Sequence, residues 1–395
     1  MNNKINENKR LWVRSKPEKE LDFLLVSALA VMPYLHFIAS AAVMLTVFFS
    51  VLIIKCTRRA VFRQRQLNII TAGIVLLSLV SSLISGNYIG ILITLGVLAV
   101  LTLAAYLITV MTKELFDRVI FTSAIGGIFT ACIVVAQRIA FKDPGHRPYG
   151  WSFNANYLGS VAVFSAIFAL VKLFEAESFE NVKALARKKV LYVISMMCDI
   201  AIILICESRS SLLAIMACIV AFVFLKKQYI LCVLGILGAI GLWVLGWFYP
   251  QFFSWSNSLI EVFTVRADIW KDAIGSFLQS PYTFLIGRGP MTYLHVVEKE
   301  SLYVAHHAHN VFIDTLINVG VVGFILYALL IAFFAFRMIC AIRKGDRASF
   351  IYVALAITAI LVQGLADVTI MWHQTAMLFV LMCASVRVNN EPDKR

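Results

Sequence analysis

The segment AHHAHN (305–310) places His306, His307 and His309 within four residues, directly before a long apolar run. A neutral imidazole takes a proton from a hydroxyl at ordinary pH, so the chemistry this stretch offers is general-base catalysis. Zinc would be a second reading, but zinc sets usually add Cys or carboxylate ligands at helical or longer spacing. Nothing nearby in the chain completes such a set, and no metal or other cofactor is expected. Asp314, four residues after Asn310, lies near the start of the apolar run, where it can orient a histidine or bind sugar hydroxyls. Asp367, in QGLADVTI, reads as an ordinary end-of-helix carboxylate.

Three arginines are the second group. Arg209 lies in the turn ESRSS (207–211), inside a segment, 190–225, that must cross a membrane twice although each crossing takes about 20 residues. That shortage of length predicts a turn dipping inward, with Glu207 and Arg209 near hydrocarbon depth. A charged residue there costs about 2.5–3.5 kcal/mol and marks a candidate site facing an anion. An ion pair between Glu207 and Arg209, or a snorkelling arginine, would account for the same residues. Arg266 lies in TVRADIW and Arg288 in IGRGP, where flanking glycines would let a ligand approach the backbone closely. Guanidinium groups suit phosphate through bidentate, charge-assisted hydrogen bonds, and an acidic lipid headgroup would serve them equally well.

The elements that must hold these residues follow from composition. Of 395 residues, 61% are hydrophobic and 14% charged, and the mean hydropathy is +0.86. Soluble domains carry nearer ~25% charged residues, so the bilayer is the solvent for almost the whole chain. Only helices satisfy their backbone groups there without closing into a barrel, and the fold class is an all-α polytopic membrane protein. The apolar runs predict spans over 21–36, 38–54, 67–84, 89–111, 119–141, 157–174, 190–206, 211–225, 229–248, 311–336, 349–365 and 370–386, twelve in all. The charged start has no small-residue cleavage site, and no removable leader is expected. The eight cysteines form no CxxC pair and read as small apolar packing residues.

Orientation comes from a separate signal, because cytoplasmic loops collect Lys and Arg. With the N-terminus inside, 27 of the 35 basic residues fall on the inner side. The net charge of +13 is therefore mostly a topology signal and not the mark of a nucleic-acid partner. The expected organisation is a cytoplasmic tail 1–20, spans one to nine over 21–248, a large extracytoplasmic loop 249–310, spans ten to twelve over 311–386, and a cytoplasmic tail 387–395. Within the loop, residues 259–279 have helical apolar spacing at Leu259, Val262, Phe263, Ile269, Trp270, Ile274 and Phe277, which predicts an amphipathic helix at the membrane surface. The chemically interesting residues then gather on the outer face.

Four stretches carry a resemblance to a known family. RPYGWSFNANYLG (147–159), ESRSSLLA (207–214), VRADIW with IGRGP (265–290) and HAHNVFIDTLINVGVVG (307–323) resemble, in order and spacing, the O-antigen ligase and O-antigen polymerase superfamily of bacterial membrane glycosyltransferases. The likeness covers about 145–335; Ala155 stands where the family often has proline. The resemblance implies a metal-independent, GT-C-like fold of about twelve spans in the bacterial plasma membrane. It implies an undecaprenyl-diphosphate-linked glycan as donor, a glycan or glycolipid as acceptor, membrane lipids as surroundings and no nucleic acid.

Residue by residue, the resemblance implies catalytic roles for His309, Arg209 and Arg266, and substrate contacts for Arg288, His307, Asn310, Asp314 and Asn156. The arginines would hold the diphosphate, and His309 would position or deprotonate the acceptor hydroxyl. Ligation to a foreign acceptor and polymerisation of repeat units share these motifs, with ligation preferred. A lipid-linked glycan transporter would line a path with the same residue types, but its charges belong at the midplane. A lipid-binding scaffold without catalysis also fits the residues taken alone.

Overall fold

The computed structural model describes residues 14–141, 147–175, 182–248, 259–293 and 306–386, and among these there is no strand. Parts of the expected large loop, 249–258 and 294–305, and most of both expected tails lie outside the described residues. The helices are α1 (Lys16–Val31), α2 (Phe37–Ile53), α3 (Lys55–Phe62), α4 (Arg65–Ile84), α5 (Tyr88–Val110), α6 (Lys113–Ala140), α7 (Ala155–Leu173) and α8 (Val182–Ile205). They continue with α9 (Arg209–Leu225), α10 (Tyr229–Phe248), α11 (Leu259–Leu278), α12 (Pro281–Ile286), α13 (Val311–Arg343), α14 (Arg347–Gly364) and α15 (His373–Cys383). Apolar runs make the bodies of these helices and polar residues start them. Thr112, Asn154 and Asn310 accept hydrogen bonds from backbone N–H groups of the first turns of α6, α7 and α13, satisfying donors that have no partner inside the helix.

The chain is thus an all-helical, multi-pass membrane protein. By length and composition, six of the described helices can cross a membrane, and seven if the bent pair α2–α3 is one span. Two others, α9 and α15, are apolar but shorter. All twelve expected runs overlap helices, but one boundary removes the reason for an inward turn at Arg209. Helix α8 begins at Val182, ahead of the expected span, so α8 and α9 together have ample length for two crossings and shortage no longer forces their connecting turn inward.

One large apolar core runs through the bundle and includes the almost wholly buried α7, against which α8, α6, α9, α14 and α15 pack. A smaller core of Ile269, Ala273, Phe277, Tyr293, Ala308 and Ile317 docks α11 onto the first half of α13 and the loop before it. The apolar face of α11 is therefore partly spent on protein: Ile269 and Phe277 are buried, whereas Ile274 stays exposed.

The two glycines of IGRGP also differ from expectation, being occupied by protein and not left open to a ligand. Both have positive φ; a Cβ on Gly287 would lie 2.5 Å from the Asn318 backbone, and one on Gly289 would collide with Ser82 Oγ. Opposite them, Gly320 (φ 65°) kinks α13, and a Cβ there would collide with the Leu285 backbone. The kink and the turn fit into one another, fixing the turn after α12 against the bundle.

Candidate functional site

The site is assembled where the start of α13 meets the end of α14. Asn310 caps α13: its Oδ1 accepts from Phe312 N and Ile313 N, while its Nδ2 donates to Leu365 O (3.2 Å). The expected substrate ligand is thereby used to join two helix ends. Asp314 Oδ1 accepts from Ala308 N (3.0 Å), and its Oδ2 accepts from Asn318 Nδ2 (2.7 Å). It holds the backbone of the histidine loop rather than an imidazole. Trp270 Nε1 donates to Ala308 O (2.9 Å), so the same residue is gripped from α11 as well.

Held this way, the loop turns two imidazoles onto one carboxylate, which belongs to Asp367. His307 Nε2 lies 3.6 Å and His309 Nδ1 3.5 Å from Asp367 Oδ1. His309 sits at φ 48°, a backbone setting that costs a non-glycine residue free energy and is found at functional sites. His307 Nδ1 accepts from His309 N (3.2 Å), so a neutral His307 carries its proton on Nε2, directed at Asp367 and near Tyr157 OH (3.4 Å). His309 Nδ1 likewise faces the carboxylate, which leaves its Nε2 as the free basic atom. His307 is buried and His309 is about 30% exposed. His306 is exposed.

Asp367 is no ordinary helix-end carboxylate. It is 1% exposed, and it accepts from Asn156 Nδ2 at Oδ2 (2.6 Å) and from its neighbour Val368 N at Oδ1 (2.8 Å). Burial pushes its pKa up, but the facing His309, the nearby His307 and the Val368 N–H outweigh burial and hold it below the ordinary carboxylate value. Burial drives His307 down to about 4, with Asp367 only partly opposing. At neutral pH Asp367 is an anionic carboxylate beside the neutral imidazole of His307.

Arginines surround this carboxylate. Arg147 donates from Nη2 to Asn156 Oδ1 (2.8 Å) and from Nε to Cys206 O (2.8 Å), with Glu207 O at 3.2 Å. It therefore ties the amide that holds Asp367 to the turn that starts α9 at Arg209. Arg147 and Arg266 both have their pKa lowered, first by burial; Arg209 pushes each the same way and Asp367 pulls each back. Asp367 is thus in electrostatic range of Arg147 and Arg266, and Arg209 is in range of both arginines. Arg209 and Glu207 are exposed, and Glu207 lies 4.0 Å from Arg138. Arg288 is engaged elsewhere, its guanidinium on the Gln279 side-chain oxygen where α11 meets α12.

Asp367 supplies the third member of a possible metal set, contrary to the expectation that nothing completes one: His307, His309 and Asp367 offer atoms within 4.8 Å of one another. The donor chemistry fits an ion poorly. His307 Nε2 carries a proton while Nδ1 accepts from the backbone, and the surrounding guanidiniums favour an anion.

Beside His307 opens a pocket lined by Ile93, Val97, Tyr327, Val368, Met371 and Trp372, with Asp314, Thr315 and Asn318 on its polar edge. Trp372 also packs on Tyr157, with ring centroids 4.6 Å apart. Basic groups, a buried carboxylate with imidazoles and an apolar wall thus meet at one place in a multi-pass membrane protein. Residues 194–328 match the family model described as O-antigen ligase, which supports the resemblance to the O-antigen ligase and polymerase superfamily. No curated protein matches the chain.

Proposed function

We propose that the protein transfers a glycan from an undecaprenyl-diphosphate carrier to an acceptor hydroxyl on the outer face of the bacterial plasma membrane, without a metal. The observation that carries this reading is the cluster around Asp367: two imidazoles at 3.5 and 3.6 Å from one carboxylate oxygen, with the guanidiniums of Arg147 and Arg266 in electrostatic range of it and Arg209 in range of both. A lipid diphosphate is an anion whose chain stays in hydrocarbon while its sugar reaches water, and the cluster with its apolar pocket suits both ends.

In this mechanism Asp367 orients His309 through Nδ1–H. His309 Nε2 takes the acceptor proton as the acceptor oxygen bonds to the anomeric carbon. The bond from that carbon to the diphosphate oxygen breaks, and the electron pair leaves with undecaprenyl diphosphate. Arg209 and Arg266 stabilise the growing charge on the leaving group, a contribution of several kcal/mol in comparable sites. Arg147 and Asn156 hold the carboxylate, His307 packs beside it, and Arg288 contacts a more distant part of the donor. The GT-C-like arrangement of twelve spans, both termini inside and loop 249–310 outside, goes with this reading and puts the cluster on the side of the glycan.

The test is transfer by purified protein in nanodiscs containing EDTA, with a lipid-diphosphate oligosaccharide and candidate acceptors. Glycan transfer that is lost in His309→Ala and Arg209→Ala is expected. Extension of the donor's own repeats with no foreign acceptor present would make the enzyme a polymerase of the same superfamily. Donor binding without transfer to any acceptor, with lipid crossing the bilayer instead, would overturn the enzyme reading.

A further inference from the structure

We infer that α3 and the turn after it form a binding surface for anionic phospholipid headgroups. Helix α2 ends at Ile53, and the extended backbone of Ile54 after it sends α3 off at 92°. Thr57 Oγ1 locks the bend by donating to Val51 O (3.0 Å) and Ile54 O (2.8 Å). If α2 crosses the bilayer, α3 lies along its surface.

The inner face of α3 is tied down. Thr57, Ala60 and Val61 are buried; Thr109 Oγ1 on α5 donates to Ala60 O (3.0 Å), and Asn68 Nδ2 donates to Val61 O (2.9 Å). The outer face is cationic: Lys55, Arg58, Arg59, Arg63 and Arg65 are exposed, and residues 55–65 contain no Asp or Glu. Among the described residues the acidic neighbour of this face is Glu18 of α1, in electrostatic range of Arg59, while Asp22 is taken up by Arg14 (3.1 Å), which lies in range of Arg63. One carboxylate does not offset the row.

Two large apolar side chains flank it: Ile53 is 75% and Phe62 68% exposed. A nucleic acid would answer the charge but gain nothing from these side chains. A phospholipid answers both, with phosphate on the guanidiniums and Ile53 and Phe62 in the acyl region. This surface is independent of the transfer reaction proposed above.

The test uses the full-length protein, released from mixed phosphatidylglycerol and phosphatidylcholine nanodiscs and read by native mass spectrometry for retained lipid. Wild type is expected to retain phosphatidylglycerol preferentially. A basic residue at an anionic membrane surface is worth about a fivefold preference, so Arg58→Gln/Arg59→Gln should cut it by about 25-fold. Arg343→Gln/Lys344→Gln, which removes equal charge from another exposed position, should leave it unchanged. Equal thermal unfolding of both variants in phosphatidylcholine checks that the fold is kept. No preference in wild type, an unchanged preference in the α3 variant, or equal loss in both variants would each overturn the assignment.

Discussion

Replacing Asp367 by Asn removes the charge to which both imidazoles are turned while keeping nearly the same shape. Both carboxylate oxygens accept: Oδ2 from Asn156 at 2.6 Å and Oδ1 from Val368 N at 2.8 Å, with the two imidazole nitrogens facing Oδ1 at 3.5 and 3.6 Å. An amide offers only one acceptor, so its NH2 must confront either Asn156 Nδ2 or Val368 N–H. Loss of one buried hydrogen bond to a charged group costs about 1.5–3 kcal/mol of stability. Loss of the orienting charge on His309 removes most of the general-base contribution, about 10²–10⁴ in rate. The two effects separate in the exchange variant Asn156→Asp/Asp367→Asn. There the carboxylate introduced at position 156 accepts from Arg147 and from the new amide at position 367. The oxygen of that amide accepts from Val368 N, and the negative charge has moved away from the imidazoles. Thermal unfolding in detergent should recover toward wild type in the exchange variant, while transfer from a lipid-diphosphate donor stays at least tenfold down. Asp367→Asn turning over within about threefold of wild type, or the exchange variant regaining full rate, would refute the role of Asp367.

Acid should weaken the fold through His307. Its folded pKa of about 4 lies below the ordinary value of 6.5, so between these values the unfolded chain binds a proton that the folded one does not, and stability falls as pH drops from 6.5 toward 4, by up to about 3 kcal/mol. Asp367 acts in the same direction at lower pH, its depressed pKa giving stability that is lost as pH falls through the folded value. His307→Gln should flatten the Tm-against-pH profile over that range. Gly320→Ala drives a Cβ into the Leu285 backbone at φ 65°, and should lower stability by about 2–4 kcal/mol in chemical denaturation. Trp270→Phe removes the donor to Ala308 O while keeping most of the apolar contact; transfer should fall several-fold through kcat with the donor Kd almost unchanged.

How much of this can be read from sequence depends on whether a residue's job is local. Helix bodies, their order and the histidine loop are legible because hydropathy and a dense cluster of His are properties of short windows. The start of α8 is not: Arg187, Lys188 and Lys189 look like a loop, yet they are exposed residues in the first turns of a helix whose apolar part begins later. Asp367 hides for a related reason. It is the only carboxylate between 347 and 386, which is a usable signal, but its partners lie 211 residues away at Asn156 and far back along the chain in the histidine loop. Arg147 stands inside the first matching stretch and can be singled out there as one of the few basic residues on the expected outer side. Asn310 and Asp314 have a job that their types do not reveal: these residues suit sugar hydroxyls, but at the start of a buried helix they also accept from unpaired backbone N–H groups. A polar side chain within a turn of a helix start is thus a poor ligand candidate until the backbone donors beside it have other partners. Asp367, just beyond a helix end and fed by one local N–H, keeps acceptor capacity for the imidazoles.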